Sequence, residues 1–172
     1  MERRPATAAE TKALAHPLRL RILRLCLDEA LTNKQLADRL GVDPATLLHH
    51  VRTLVRTEFI VAEASRTGAR GAREKPYRST GKSWTLEVGP DEALSGSMAN
   101  LDAYRAEFIE SGAPITSTRF AARLSSDDLD ELARRLLELA DEFVGRDDAD
   151  GIPVGFLFAG HRRSAPAADD ES

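Results

Sequence analysis

The sequence predicts a mainly helical α+β fold, a set of short helices carrying one β-hairpin. Three observations predict it. Two capped helical patterns meet across a glycine turn at Gly41 to Asp43. A Gly- and Arg-rich run, "RTGARGAREKPYR", separates two β-prone segments. Two later segments carry apolar residues at spacings of three and four, the period of a helix with one apolar face.

The elements follow in order. Ala8 to Ala15 reads as a short helix. Pro17 to Leu27 reads as a second, with Pro17 at a first helical position, where its missing N–H costs nothing. Leu18, Ile22, Leu25 and Cys26 fall on its inner face. Thr32 followed by Gln35 is a capping box and starts a third helix, closed by Gly41 in the left-handed conformation. Asp43 and Pro44 are the N-cap and first residue of a fourth. Two helices joined by so short a Gly-containing turn form a helix-turn-helix pattern. "FIVAEAS" and "YRST" then read as the strands of a hairpin, with a third strand near "WTLEV". Asp91 to Ser111 reads as a long helix. "ITSTRFAARL" reads as a strand, Ser126 to Val144 as a helix capped by Ser125, and "IPVGFLFAG" as a final strand. "HRRSAPAADDES" reads as a disordered tail.

The fourth helix holds two of the four histidines, side by side, at His49 and His50. With about 100° per residue, Leu47, Leu48, Val51, Leu54 and Val55 share one side of it. Thr46, His49, Arg52, Thr53 and Arg56 take the other, and His50 lies at the edge between reading a partner and half-burial. Neighbours on a helix point about 100° apart, so the pair is badly placed to share a metal ion. The chain has one cysteine, Cys26, which excludes an intrachain disulfide and a multi-thiolate site. Cys26 itself reads as an inert core thiol rather than a redox sensor. No cofactor and no metal are expected. The sequence contains no phosphate-binding loop and no nucleophile–base constellation, so it does not read as an enzyme.

Charge is split along the chain. Met1 to Trp84 carries 16 Lys and Arg against 9 Asp and Glu, a balance of +7. Thr85 to Ser172 carries 8 against 19, a balance of −11. A basic half joined to an acidic half suggests that the first meets a polyanion. An apolar fraction of 42% with no membrane-length apolar run and no apolar N-terminal stretch predicts a cytoplasmic protein without a membrane partner.

From Lys12 to Thr80 the sequence resembles the ArsR-type winged helix-turn-helix regulators. "LAHPLRLRILRLCL" resembles their first core helix, "LTNKQLADRLGVDPATLLHHVRTLVRTEFIV" their helix-turn-helix, and "GAREKPYRST" the wing of the branch without metal sensing. The family often has Ser at the position of Leu48 and Gly at that of Glu58. The helix Thr32 to Leu40 has no cysteine, and Ser126 to Val144 has no histidine, so metal sensing does not carry over. The sequence divides into three regions: a winged helix-turn-helix domain over 1–90, a dimerisation helix with a small strand-helix-strand extension over 91–160, and the tail over 161–172. The resemblance implies DNA binding and a homodimer built from the first and the post-wing helices; the leading expectation is a transcriptional regulator, a repressor, whose twofold symmetry calls for an inverted-repeat operator.

Site residues follow from the wheel and the charge. Thr46, His49, His50, Arg52 and Thr53 are expected to read bases. Thr32, Gln35, Arg56, Arg66, Arg70, Arg73 and Lys75 are expected on the DNA backbone or in the minor groove, with Arg78 on the same hairpin. The stripe Leu94, Met98, Leu101, Tyr104 and Phe108 is expected to pair two copies. Expected partners are double-stranded DNA, a second copy, and an effector of unknown identity, small molecule or protein. The competing reading is a winged-helix module making protein or RNA contacts in an assembly. The C-terminal extension packs on the dimer, shapes a ligand pocket or binds another protein; the sequence leaves that choice open.

Overall fold

Each of the first four α-helices starts at a residue whose side chain accepts from one or two of its orphan N–H groups. The computed structural model describes residues 3–68, 71, 73–89, 93–112, 115–148 and 150–163. It divides into two units, Met1–Phe120 and Ala121–Ser172. In the first, α1 (Ala8–Leu14) opens with a Thr7/Glu10 capping box. In α2 (Pro17–Asp28) the His16 ring accepts from the Leu18 N–H. The Thr32/Gln35 capping box opens α3 (Asn33–Leu40), which Gly41 closes at φ 63°. Asp43 accepts from the Ala45 and Thr46 N–H groups at the head of α4 (Pro44–Arg56). These bounds lie within a residue of those expected, because caps are local chemistry.

Ile22 and Cys26 of α2, Leu36 of α3, and Leu47, Val51 and Leu54 of α4 meet in one core with Leu31, Phe59 and Ile60. Burying such side chains contributes about 1.5–3 kcal/mol each. Burial also pushes the Cys26 thiol up to about 12, so it stays protonated and unreactive at neutral pH.

The strands are short: β1 (Arg4–Pro5), β2 (Leu31–Thr32), β3 (Ile60–Ala62), β4 (Arg66–Thr67), β5 (Arg73–Glu74), β6 (Pro76–Ser79) and β7 (Leu86–Glu87). β6 lies between β2 and β3, antiparallel to both, with Leu31 opposite Tyr77 and Val61 opposite Arg78. β4 and β5 continue the hairpin outward. The third strand of the wing sheet is therefore Leu31–Thr32. The strand expected near Trp84 forms as β7 but pairs in parallel with β1 at the N-terminus.

A buried ion pair fastens that junction. Glu10 is 5% exposed; its carboxylate takes Arg4 at 2.7 Å and Lys82 at 2.8 Å. The Arg4 guanidinium holds the Glu10 carboxyl well below the usual carboxylate range. Lys82 also donates to the Thr57 carbonyl at 2.8 Å and lies over the Phe59 ring.

Glu58 turns the chain from α4 into β3 with φ 60°, a left-handed conformation that disfavours a side chain. Its carboxylate gains only an exposed contact with Lys82 at 3.4 Å. Glu58→Gly is therefore expected to raise unfolding free energy, by no more than about 1 kcal/mol, as read from a urea titration. A loss of stability would show that the Lys82 contact outweighs the backbone strain.

The long helix α5 (Ala93–Glu110) packs on α2 and α1 and so belongs to the first unit. Asp91 and Glu92, expected in it, lie outside the described residues. Its buried residues are the small Ala99 and Ala103. Arg21 pairs with Glu110, and Arg24 with Glu107 at 3.8 Å, across the α2–α5 contact. The expected stripe faces away: Leu94 is 75% exposed, Met98 49%, Leu101 41% and Phe108 37%, with Tyr104 half-buried against the Phe108 ring.

The second unit differs from expectation. Its helix α6 (Ser126–Val144) forms, with Ser125 accepting from the Asp128 N–H. Neither 115–124 nor 152–160 is a strand. A strand needs a ladder partner and a covered face. Here no described residue from 121 to 163 is buried. The strand-helix-strand extension is thus corrected to a single helix flanked by irregular chain. His161 to Arg163 has no regular structure, and the rest of the expected tail, 164–172, lies outside the described residues. Among the described residues, no helix is long and apolar enough to cross a membrane.

Candidate nucleic-acid interface

The turn between α3 and α4 is fixed by hydrogen bonds at both ends. The Val42 N–H donates to the Ala37 carbonyl, and the Asn33 side chain donates to the Pro44 carbonyl at 2.9 Å. This holds α4 with Leu47, Val51 and Leu54 inward and Thr46, His49, Arg52 and Arg56 exposed. Val55, expected inward, is 38% exposed. With the half-buried Leu48 it lines a cleft of about 360 Å³ against Tyr77, rimmed by Arg52, Arg56 and Lys75. Arg52, Arg56, Arg73 and Lys75 are exposed and carry no ion pair among the described residues. Three of these cations border one concave surface formed by helix and wing.

The two histidines separate. His49 points outward. His50 packs its ring on His16, with centroids 4.5 Å apart, and its Nδ1 is buried without a hydrogen-bond partner. Burial, reinforced by His16, Arg19 and His49, pulls His50 down to about 4. His50 thus packs between α4 and the start of α2, unlike the outward His49. His16 is likewise drawn down by burial and by Arg19.

His50 predicts an acid limit to stability. The unfolded histidine takes a proton near pH 6.5, while the folded one resists until about pH 4. The unfolded state thus binds more protons in that window, and stability falls as pH drops through it. The loss attributable to His50 is at most about 3 kcal/mol. His50→Leu should flatten the profile between pH 6.5 and 4 in urea titrations; an equally steep profile would refute the assignment.

Other expected contacts are also engaged elsewhere. Thr32 is buried, and its side chain accepts from the Gln35 N–H. The Gln35 carbonyl oxygen accepts from the Thr32 N–H at 2.9 Å and from Arg66 at 3.2 Å. Both residues thus form the cap at the head of α3. Thr53 is half-buried and donates its hydroxyl to the His49 carbonyl. Arg66 pairs with Glu74 at 3.5 Å and Arg78 with Glu63 at 2.5 Å. Arg70 lies outside the described residues. No group of three or more His, Cys, Asp or Glu suited to a metal ion occurs among the described residues.

Sequence reasoning missed Lys75 and Arg56 as two walls of one cleft, since their meeting depends on how β6 docks against α4. It also missed Glu10 and Lys82, a pair separated by the whole helix-turn-helix.

Comparison with known proteins places this geometry. Residues 14–61 match a family described as a helix-turn-helix domain. Nothing among curated proteins matches. Among solved structures the chain is similar to reduced HlyU from Vibrio cholerae, at 23% identity and TM-score 0.35, over 52% of this chain and 77% of that one. It is similar to the adhesin competence repressor AdcR from Streptococcus pyogenes, at 17% identity and TM-score 0.34, over 73% and 78%. It is also similar to Lactococcus lactis ZitR in complex with DNA, at 16% identity and TM-score 0.33, over 74% of each chain. The assignment rests on the matched domain and not on these likenesses. With that match over residues 14–61, the chain contains a helix-turn-helix domain.

Proposed function

We propose that the chain acts as a homodimeric repressor on an inverted-repeat operator, with α4 in the major groove. The observation that carries this reading is the exposed face of Thr46, His49 and Arg52, bordered by the unpaired cations Arg56 and Lys75. Thr46, His49 and Arg52 are assigned to base edges; Arg56, Arg73 and Lys75 to phosphates. Arg66 and Arg78, each held by a glutamate, are secondary. The exposed stripe on α5 supplies the twofold contact, so two reading helices address half-sites about 10–10.5 base pairs apart or a multiple of it. Occupying a promoter requires nothing beyond DNA binding, which makes repression the simplest output.

Selection of bound sequences from random DNA tests the proposal and should return an inverted repeat. Arg52→Ala should then weaken specific binding by about 1–3 kcal/mol and relax preference at one base pair per half-site. Lys75→Ala should leave the preference intact. It should flatten log affinity against log salt by nearly two units, about 0.9 for each of two symmetry-related phosphates. Equal loss of specific and non-specific affinity in Arg52→Ala would remove α4 from the groove.

A further inference from the structure

We propose that α6 pairs with α6 of a second copy of this chain as an antiparallel two-helix coiled coil, an interface separate from the α5 stripe. Leu129, Leu132, Leu136, Leu139 and Phe143 recur at intervals of three, four, three and four, the seam of a coiled coil rather than the wider face of a core helix. None of them is buried: Leu129 is 47% exposed, Leu139 46% and Phe143 59%, with Leu132 and Leu136 half-covered. With no buried residue among those described from 121 to 163, this unit has no core of its own to hold the helix.

The flanks of the seam select the partner and its direction. In an antiparallel pair, Leu136 faces Leu139 of the second copy and Leu132 faces Phe143, each layer occurring twice. On one flank Arg135 then lies beside Glu142 of the second copy, opposite charges that also meet twice. On the other flank Ala133 meets Ala140, small residues that let the backbones approach. A parallel pair sets Arg135 beside Ala140 and forms no cross-helix ion pair. Arg135 and Glu142 are free to make the exchange. Their present partners are Glu131 at 2.6 Å, on the same helix, and Arg146, in the turn just after it, and the Arg135 and Glu142 side chains are 72% and 52% exposed.

Engineered thiols in the full chain test both pairing and direction. Chains carrying Ala133→Cys and Ala140→Cys are mixed and oxidised. The mixture should give a disulfide-linked dimer in several-fold excess over either variant alone, since two copies of position 133 are separated by seven residues, about 10 Å along the axis. The native thiol at Cys26 is buried and does not compete. Adding Leu136→Glu should abolish the cross-link. Arg135→Glu should reduce it by about tenfold, because two attractive pairs become repulsive. The double reversal R135E/E142R should restore it, although it opposes both present intrahelical pairs; a loss confined to helix stability would not be rescued. Helicity is followed by circular dichroism throughout. Equal cross-linking of one variant alone, no excess in the mixture, or no rescue by the double reversal overturns the proposal.

Discussion

Leu54→Ala is expected to lower the unfolding free energy by about 2–5 kcal/mol, with Leu47→Ala close behind. Both side chains have no exposed surface, and both stand where α4 meets the rest of the core. Truncation removes three carbons' worth of transfer free energy and leaves a cavity that packed neighbours fill only in part. Val55→Ala is the internal control. Val55 is on the same helix but 38% exposed beside the wing cleft, so its loss should cost less than about 1 kcal/mol. Urea titrations of the three variants check this. Similar losses at Leu54 and Val55 would mean that the helix is rotated about its axis from the orientation described, which would also move Arg52 and His49.

Leu101→Glu is expected to abolish tight operator binding without altering a single DNA contact. Leu101 is 41% exposed on the outward face of α5, while Ala99 and Ala103 hold the helix against the core. The fold should therefore tolerate the charge, and thermal melting should shift little. The dimer should not tolerate it, because burying an unpaired carboxylate in an apolar interface costs several kcal/mol. With one half-site engaged per protein, affinity should fall toward that of non-specific binding. Sedimentation velocity and a gel shift on the selected operator read the two effects together. A variant that remains dimeric would remove α5 from the interface, and a monomer that still binds tightly would end the symmetric scheme.

The caps at Thr32, Gly41, Asp43 and Ser125 were legible because each acts on residues within a few positions of itself. The inward face of α4 was legible for Leu47, Val51 and Leu54 by period alone. The wheel failed at Val55, near the helix end, where the facing surface is the wing and not the core. It could not assign His50, whose partner His16 is 34 positions away and is met only when α4 crosses the start of α2. Nor could it show that Arg66 and Arg78 would be held by Glu74 and Glu63, which depends on hairpin register. The strands read at 115–124 and 152–160 failed for the converse reason: β-prone composition is local, but a ladder is not.

The separation of His49 from His50 has a consequence for how such a protein acquires new targets. The side chains at positions 46, 49 and 52 are exposed, with His49 touching only the edge of the His50 ring, whereas position 50 packs on the ring of His16. On the proposed reading, the address to be recognised and the scaffold that presents it lie in different, interleaved residues of one helix. A library randomised at 46, 49 and 52 should yield mostly folded variants with altered operator preference. One extended to position 50 should lose much of its diversity to misfolding, so the same helix marks out in advance which of its letters evolution is free to rewrite.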